Sequence, residues 1–476
     1  MRFKVELVNA EIAPHRWAKL PESPIVPLTA ILPVKMTSGA EGQHYAVIYA
    51  SSSAGYDRVA LCWSRNYENR FAELEAGEWS QWIEDSAKIG DDEDGVAVSY
   101  RFKLVALSSD AGDFSLYRTP IFPAVGWTVP DELAATLHRN VGPFLELGGL
   151  HFCHWWGWFS EPEMQELFLD EFRYQVDWLS KAADQLLASP GWDLFITQWH
   201  GIDHIDHSYL SCFDPASPLH EDGVRMVRET YRLADQLVGS LLKYVDEDTL
   251  LVITSDHGHT AVHDQGLDEN ALLEQNGYLA FEEEPSVKSE HSGDRATSED
   301  RIHGYNPTGR AIDWSRTKAA VIHDGFLFIN LKGRYEHGIV PPEEYEELRR
   351  ALITLLEDVR SKRNPNVRRY QFVWPKEDAE LLGLYGDRVG DVVFYNKVSE
   401  RGGHHGNFNA SRDTDYGSLR ACTMFMGPGV KRETVLPRAI SLTDIVPTVC
   451  YLSRLPLPKN AEGRVVQEII EDMEQG

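Results

Sequence analysis

Thr249-Leu-Leu-Val-Ile-Thr-Ser-Asp-His-Gly-His259 joins a continuously apolar run to a cluster of chelating side chains. An apolar run without alternation marks a short strand buried on both faces, as in a parallel sheet covered by helices. Inside a strand, Asp256 and His257 point to opposite faces, so both reach one cation only where the backbone has left the regular strand. Gly258 permits that exit. The competing reading makes Asp256 a helix N-cap beside an incidental histidine.

Two further clusters lie on either side. Upstream, the strand-like run Asp193-Leu-Phe-Ile-Thr-Gln-Trp199 leads into His200-Gly-Ile-Asp-His-Ile-Asp-His207, where Asp203 and His207 are four apart and meet on one helical turn. By itself that spacing also fits a solvated strand-to-helix connection. Downstream, Gly402-Gly-His-His-Gly-Asn407 follows the strand-like Asp391-Val-Val-Phe-Tyr395, and its glycines let backbone approach a ligand, although an exposed flexible turn has the same composition. All three clusters fall near the carboxyl ends of expected strands, where open α/β sheets place their ligands. Mixed carboxylate and imidazole donors suit zinc, manganese or iron better than calcium or magnesium. Two such ions about 4 Å apart clamp the attacking and leaving oxygens of a phosphoryl displacement.

From about residue 126 to 476 the pattern is α/β. One helix, about Glu163 to Leu187, aligns Leu167, Phe168, Phe172, Val176, Leu179, Ala183 and Leu186. A second, about Asp222 to Tyr244, aligns Val224, Val227, Tyr231, Ala234, Val238 and Leu241. Order continues through Gly325-Phe-Leu-Phe-Ile-Asn330 and a helix after Pro341-Pro342, while residues 282–306 read as a polar loop. Residues 1–125 differ: short alternating runs (Phe3–Val8, Tyr45–Tyr49, Ala97–Leu107) between Gly, Ser and Asp clusters predict a β-rich module. Its aromatic segments, Gly77–Trp82 and Leu116–Phe122, read as packing anchors or, alternatively, as part of a substrate lid.

The net charge of −28 repels nucleic-acid backbones and anionic lipid, while a metal site can still hold one small phosphate. No apolar run reaches the 18 or so residues of a membrane helix, and the start lacks a signal-peptide core, so the expectation is a cytoplasmic chain without membrane contact. The 5 cysteines are widely spaced, without a CxxC pair, and read as reduced thiols.

The ordered series of motifs resembles the alkaline phosphatase superfamily, in its type I phosphodiesterase and nucleotide pyrophosphatase branch. It runs from Asp203-x-x-x-His207 and Thr254-Ser-Asp-His-Gly258 through Glu274-Gln-Asn-Gly-Tyr-Leu279, Ile312–Lys318, Ile329–Arg334 and Gly403-His-His-Gly406. Met426-Gly-Pro-Gly429, Leu442–Thr448, Leu457-Pro458 and Gly463-Arg464 complete it. The resemblance covers about residues 165–470 and implies an alkaline-phosphatase-like sandwich with a mainly parallel central sheet. It further implies two divalent ions, with zinc the leading choice: Asp203, His207 and His405 bind one, Asp256 and His257 the other. His404 is the lesser choice of its pair, because the family's histidine directly precedes the glycine. Roles for His200, Asp206, His259 and Asn407, whether ligand, support or neither, stay open.

Members of this superfamily open with a strand ending in an Asp ligand, followed by a Thr, Ser or Cys nucleophile, and that unit is not recognisable here. The hydroxyls of Pro27-Leu-Thr-Ala30 and Lys35-Met-Thr-Ser38 do not follow a strand ending in Asp. Residues 1–125 instead resemble a β-rich insertion carried by some members. The expectation is therefore a subunit of a metal-dependent hydrolase of phosphate mono- or diesters or related esters, with the nucleophile and one Asp supplied by a second polypeptide. The alternatives are a catalytically degenerate binding protein and a phosphomutase-like transferase.

Overall fold

The computed structural model describes the chain apart from residues 1, 4–6, 12–15, 36–40, 88–94, 146–161, 189–190, 214, 216, 218, 262–268, 283–310, 324, 361–364, 367, 383, 397–402, 405–419 and 472–476. Most of the expected polar loop, residues 283–306, therefore lies outside the described residues. The chain divides into two compact units, one comprising Met1–Ile202 and Arg228–Leu241, the other Asp203–Val227, Leu242–His291 and Arg295–Gly476.

The first unit begins with strands: β1 (Arg2–Phe3), β2 (Val8–Asn9), β3 (Leu28–Lys35), β4 (Glu41–Tyr49), β5 (Arg58–Cys62), β6 (Arg70–Leu74), β7 (Ile83–Ala87), β8 (Val96–Tyr100), β9 (Phe102–Leu107), β10 (Phe114–Arg118) and β11 (Phe122–Pro123). They form a five-stranded sheet in the order β2-β3-β4-β5-β6 and two three-stranded sheets, β1-β10-β9 and β11-β8-β7. The run expected over Ala97–Leu107 is split at Arg101 between two of these sheets. Alternation does the packing. Ala46 and Ile48 of β4 enter a core with Leu32, Val59, Leu61, Tyr100, Phe102, Leu104 and Leu116, while Val47 and Tyr49 pack on the opposite face with Ala60 and Cys62.

Helices α1 (Glu132–Asn140) and α2 (Pro162–Leu187) follow. On α2 the anticipated face is buried at Leu167, Phe168, Phe172, Val176 and Ala183, and at its end Leu187 is buried in place of Leu186. The Arg101 guanidinium lies over the rings of Trp79, Tyr174 and Trp82 at 4.0, 4.6 and 4.8 Å, and the Trp79 indole donates to Asp170 at 3.0 Å. The Gly77–Trp82 aromatics thus anchor packing within this unit.

The strand expected at Asp193–Trp199 does not form. The segment has no ladder partner among the described residues, and Leu194 and Ile196 are 71% and 79% exposed. Trp199 packs on Phe172 of α2, while Leu194 and Ile196 have no neighbouring strand among the described residues to cover them.

In helix α4 (His220–Leu241) the buried stripe is Met226, Thr230, Leu233 and Leu237, and Tyr231 is 50% exposed. The expected stripe was the neighbouring one; of its members Val227 alone is buried. This helix carries apolar residues on two adjacent stripes, so period alone does not choose between them.

The second unit holds the later part of helix α3 (Gly201–Tyr209) and strands β12 (Leu251–Thr254), β13 (Thr260–Ala261), β14 (Ala319–His323), β15 (Phe326–Ile329), β16 (Tyr370–Pro375), β17 (Val392–Asn396), β18 (Gly403–His404) and β19 (Thr423–Met426). Helices α5 (Glu269–Gln275), α6 (Tyr345–Glu357) and α7 (Ile445–Leu452) also belong to this mixed α/β unit. A four-stranded sheet, β14-β15-β17-β16, packs Leu327, Ile329, Val392 and Phe394 with Leu273 of α5 and Leu352 and Leu356 of α6.

The mainly parallel sheet is not found among the described residues. Every pairing of named strands is antiparallel. β14 and β15 are joined by a tight turn in which Gly325 has φ +83°, and so short a connection allows only antiparallel pairing.

Asp391 fastens this unit. Its carboxylate, 1% exposed, accepts two bonds from Arg334 at 2.7 and 2.5 Å, the Tyr345 hydroxyl at 2.7 Å and the Ile329 amide at 2.6 Å. Removing one partner of such a pair leaves a buried charge uncompensated, at a cost of about 3–5 kcal/mol. Arg334→Ala is accordingly expected to lower unfolding free energy by about that amount, read by denaturant titration.

Glu171 of α2 is handled differently. It is fully buried, accepts from the Tyr117 hydroxyl at 2.8 Å, and its Oε2 has no hydrogen-bond partner among the described residues. Burial pushes its carboxyl up to about 7, against the lowering effect of that hydroxyl and of Arg101. A raised folded-state pKa means stability that is complete below the unfolded value near 4.5 and lost as pH rises through about 7. Glu171→Gln should therefore flatten the fall in melting temperature between pH 5 and about pH 8 and stabilise the protein at the alkaline end, as scanning calorimetry would register.

Candidate metal centre

Helix α3 sets the first carboxylate. Ile205 and Tyr209, four apart, are fully buried, which turns Asp206 inward and leaves Asp203 and His207 together on the adjoining face. Asp203 Oδ1 lies 3.5 Å from His207 Nε2. The Asp-x-x-x-His pair is thus helical and convergent.

The second group comes from the chain leaving β12. Past Thr254 the backbone runs to β13 without ladder partners among the described residues, and the Ser255 amide donates to the Cys422 carbonyl at 3.1 Å. His257 places Nε2 at 3.8 Å from Asp203 Oδ1, and His259 places its Nε2 at 3.1 Å from the same oxygen. His257 Nδ1 faces the Gly258 carbonyl at 3.2 Å. A carbonyl only accepts, so Nδ1 carries the proton and Nε2 keeps the lone pair a metal needs.

Three imidazoles therefore surround one carboxylate oxygen. The His207 and His259 rings meet edge to face at 4.8 Å between centroids, and His257 and His259 do so at 5.3 Å. Asp256 lies at the rim: its side chain is 74% exposed, with Oδ2 3.6 Å from His257 Nε2.

The third cluster arrives through backbone pairing. β18 pairs antiparallel with β13, setting His404 opposite Thr260 and Gly403 opposite Ala261, directly after His259. His405 and Asn407 lie outside the described residues. His200 lies in the first unit, exposed, with its Nε2 3.0 Å from the Gln198 amide.

Burial by itself would raise the Asp203 carboxyl, but hydrogen bonds from His207 and His259 outweigh it and hold the group far below the usual carboxylate range. Asp206 has no such support: burial first, then the Asp203 charge, push it up to about 7. Burial likewise lowers His259, against the raising effect of Asp203. At neutral pH this favours a charged Asp203 facing a neutral imidazole, the protonation states in which both groups bind a cation.

The donor set fits a transition metal. One ligand atom each from Asp203, His257 and His259 lies within 4.8 Å of the others. Tetrahedral zinc with bonds near 2.1 Å needs donors about 3.4 Å apart, and the observed 3.1 and 3.8 Å bracket that value. Buried carboxylate oxygen facing imidazole nitrogen also matches the preference of zinc, manganese or iron over calcium.

His259 was left open by sequence reasoning, yet it is the imidazole closest to Asp203. The signal lay in alternation. In an extended segment residues two apart share a face, so His257 and His259 point inward together and Asp256 points out.

Among curated proteins, the chain is 30% identical over 148 residues to GPI ethanolamine phosphate transferase 3 of Saccharomyces cerevisiae, covering 31% of this chain and 13% of that protein. It is 33% identical over 100 residues to GPI ethanolamine phosphate transferase 3 of Eremothecium gossypii, covering 20% of this chain and 9% of that protein. The chain thus spans only about a tenth of the length of these relatives. No solved structure matches it. The type I phosphodiesterase / nucleotide pyrophosphatase family matches residues 125–399, more than half of the chain and inclusive of α3, β12 and the histidines beyond it. With that match, and with the motifs from Asp203 onward in the family's order, the chain belongs to the type I phosphodiesterase / nucleotide pyrophosphatase family of the alkaline phosphatase superfamily.

Proposed function

We propose that this chain is the metal-binding subunit of a hydrolase of phosphate mono- or diesters. The reading is carried by one observation, the convergence of three imidazoles on Asp203 Oδ1 in a chain of this family. Asp203, His257 and His259, with His207 beside them, hold one divalent ion, with zinc the leading choice, and the exposed Asp256 faces the place of a second. Bound divalent ions supply a more acidic attacking hydroxyl or water and neutralise charge on the leaving oxygen. Within the protein, the Gly258 carbonyl fixes the His257 ring, and Asp203 stays ionised to pair with the cation.

The nucleophile and a further Asp come, in this proposal, from a second polypeptide. Supporting it is the extended segment at Asp193–Trp199, whose exposed Leu194 and Ile196 are suited to an added strand. The names of the relatives favour a second reading, in which an alcohol rather than water accepts the phosphoryl group.

Four measurements test this. Zinc should raise the melting temperature of the metal-stripped protein, by about 2.7 kcal/mol of stabilisation at a hundredfold excess over Kd, and Asp203→Ala should abolish that rise. Native mass spectrometry of the protein from its source should show a second chain with one or two metals, and that assembly should cleave bis(p-nitrophenyl) phosphate in a manner lost with Asp256→Ala. A homogeneous single chain that is metal-loaded and active would refute the partner. Product analysis in the presence of an added alcohol separates transfer from hydrolysis.

A further inference from the structure

The Asp206 carboxylate is one buried acidic group that the reading above leaves without a task. It is 6% exposed, and its Oδ1 has no hydrogen-bond partner among the described residues. Desolvating a carboxylate oxygen without a partner is costly, so its retention beside other acidic and imidazole groups calls for a compensating contact. The contact is with His259. Asp206 Oδ2 lies 3.7 Å from His259 Nδ1, while the opposite nitrogen of that ring, Nε2, lies 3.1 Å from Asp203 Oδ1. Asp203 and Asp206 are three apart on α3, within one helical turn, so one helix places a carboxylate near each nitrogen of a single imidazole.

We propose that Asp206 is a positioning residue for His259: when a cation replaces the proton between Nε2 and Asp203, the Asp206 carboxylate favours the tautomer with its proton on Nδ1, so that Nε2 is presented to that cation. This rests on the metal-binding reading of the same site. An imidazole between a carboxylate and a metal has its tautomer and ring orientation set by that carboxylate, which also makes the ligating nitrogen more basic. His259 is further confined by the His207 and His257 rings packed edge to face against it. Asp206 therefore tunes metal affinity without touching metal or substrate.

The test measures zinc affinity of the full chain, together with any copurifying partner, by competition with a chromophoric chelator. The visible absorption of the cobalt(II)-substituted protein is recorded alongside. Asp206→Ala should weaken zinc binding about 10- to 100-fold and alter the cobalt bands. Asp206→Asn, which keeps an oxygen acceptor facing Nδ1, should lose less, and it carries the test if the alanine variant does not fold. In a His259→Ala background the Asp206 substitutions should add nothing. Unchanged affinity and spectrum on Asp206 substitution would overturn the proposal, as would an equal loss with and without His259. If the wild-type chain binds no zinc or cobalt, the metal-binding reading itself falls; if it binds both and ignores Asp206, only this inference does.

Discussion

A single carboxylate oxygen, Asp203 Oδ1, organises the second unit's chemistry. Nitrogens of His259, His207 and His257 lie 3.1, 3.5 and 3.8 Å from it, and they come from two stretches of chain about fifty residues apart. Groups of this kind repel or waste hydration when crowded together without a counter-charge. Asp203 provides the negative partner, and the low pKa that results keeps it charged in a partly buried setting. Everything nearby in the fold serves that meeting: Ile205 and Tyr209 fix the rotation of α3, β12 pairs with β19 so that its end is anchored at Thr254 and Thr423, and β13 pairs with β18 just beyond His259.

The protein buries acidic side chains in three different ways. Asp391 is saturated by guanidinium, hydroxyl and amide donors, which makes it a fastener rather than a functional group. Glu171 has one donor and a fully desolvated second oxygen, so its proton returns near neutrality. Asp206 Oδ1 has no hydrogen-bond partner among the described residues; burial and the Asp203 charge push its carboxyl up to about 7, and its Oδ2 lies 3.7 Å from an imidazole nitrogen of His259. Donor count distinguishes the three. Two serve the fold of their units, and the third borders the metal centre.

Much of the site was legible before any coordinates. The spacing Asp203-x-x-x-His207 needs only a helix to converge, and α3 is that helix. The exit of the chain after Thr254 was readable from an apolar run ending at Asp-His-Gly. His259 escaped because attention to the adjacent Asp256-His257 pair obscured the two-residue period of an extended chain. The stripe of α4 escaped for a related reason, two overlapping apolar faces with one period. The strand at Asp193–Trp199 was read from apolar content, but ladder formation requires a neighbour, which no local pattern supplies.

The sequence by itself determined the candidate Asp and His clusters, their order along the chain, the succession of a β-rich part by helices, and the family, because these depend on residue identity and local period alone. Tertiary structure decided strand direction, the buried face of α4, the outward place of Asp256 and the inward place of His259. Those outcomes depend on which groups lie across from one another when distant segments pack, and the free energy of packing belongs to pairs of segments rather than to either one.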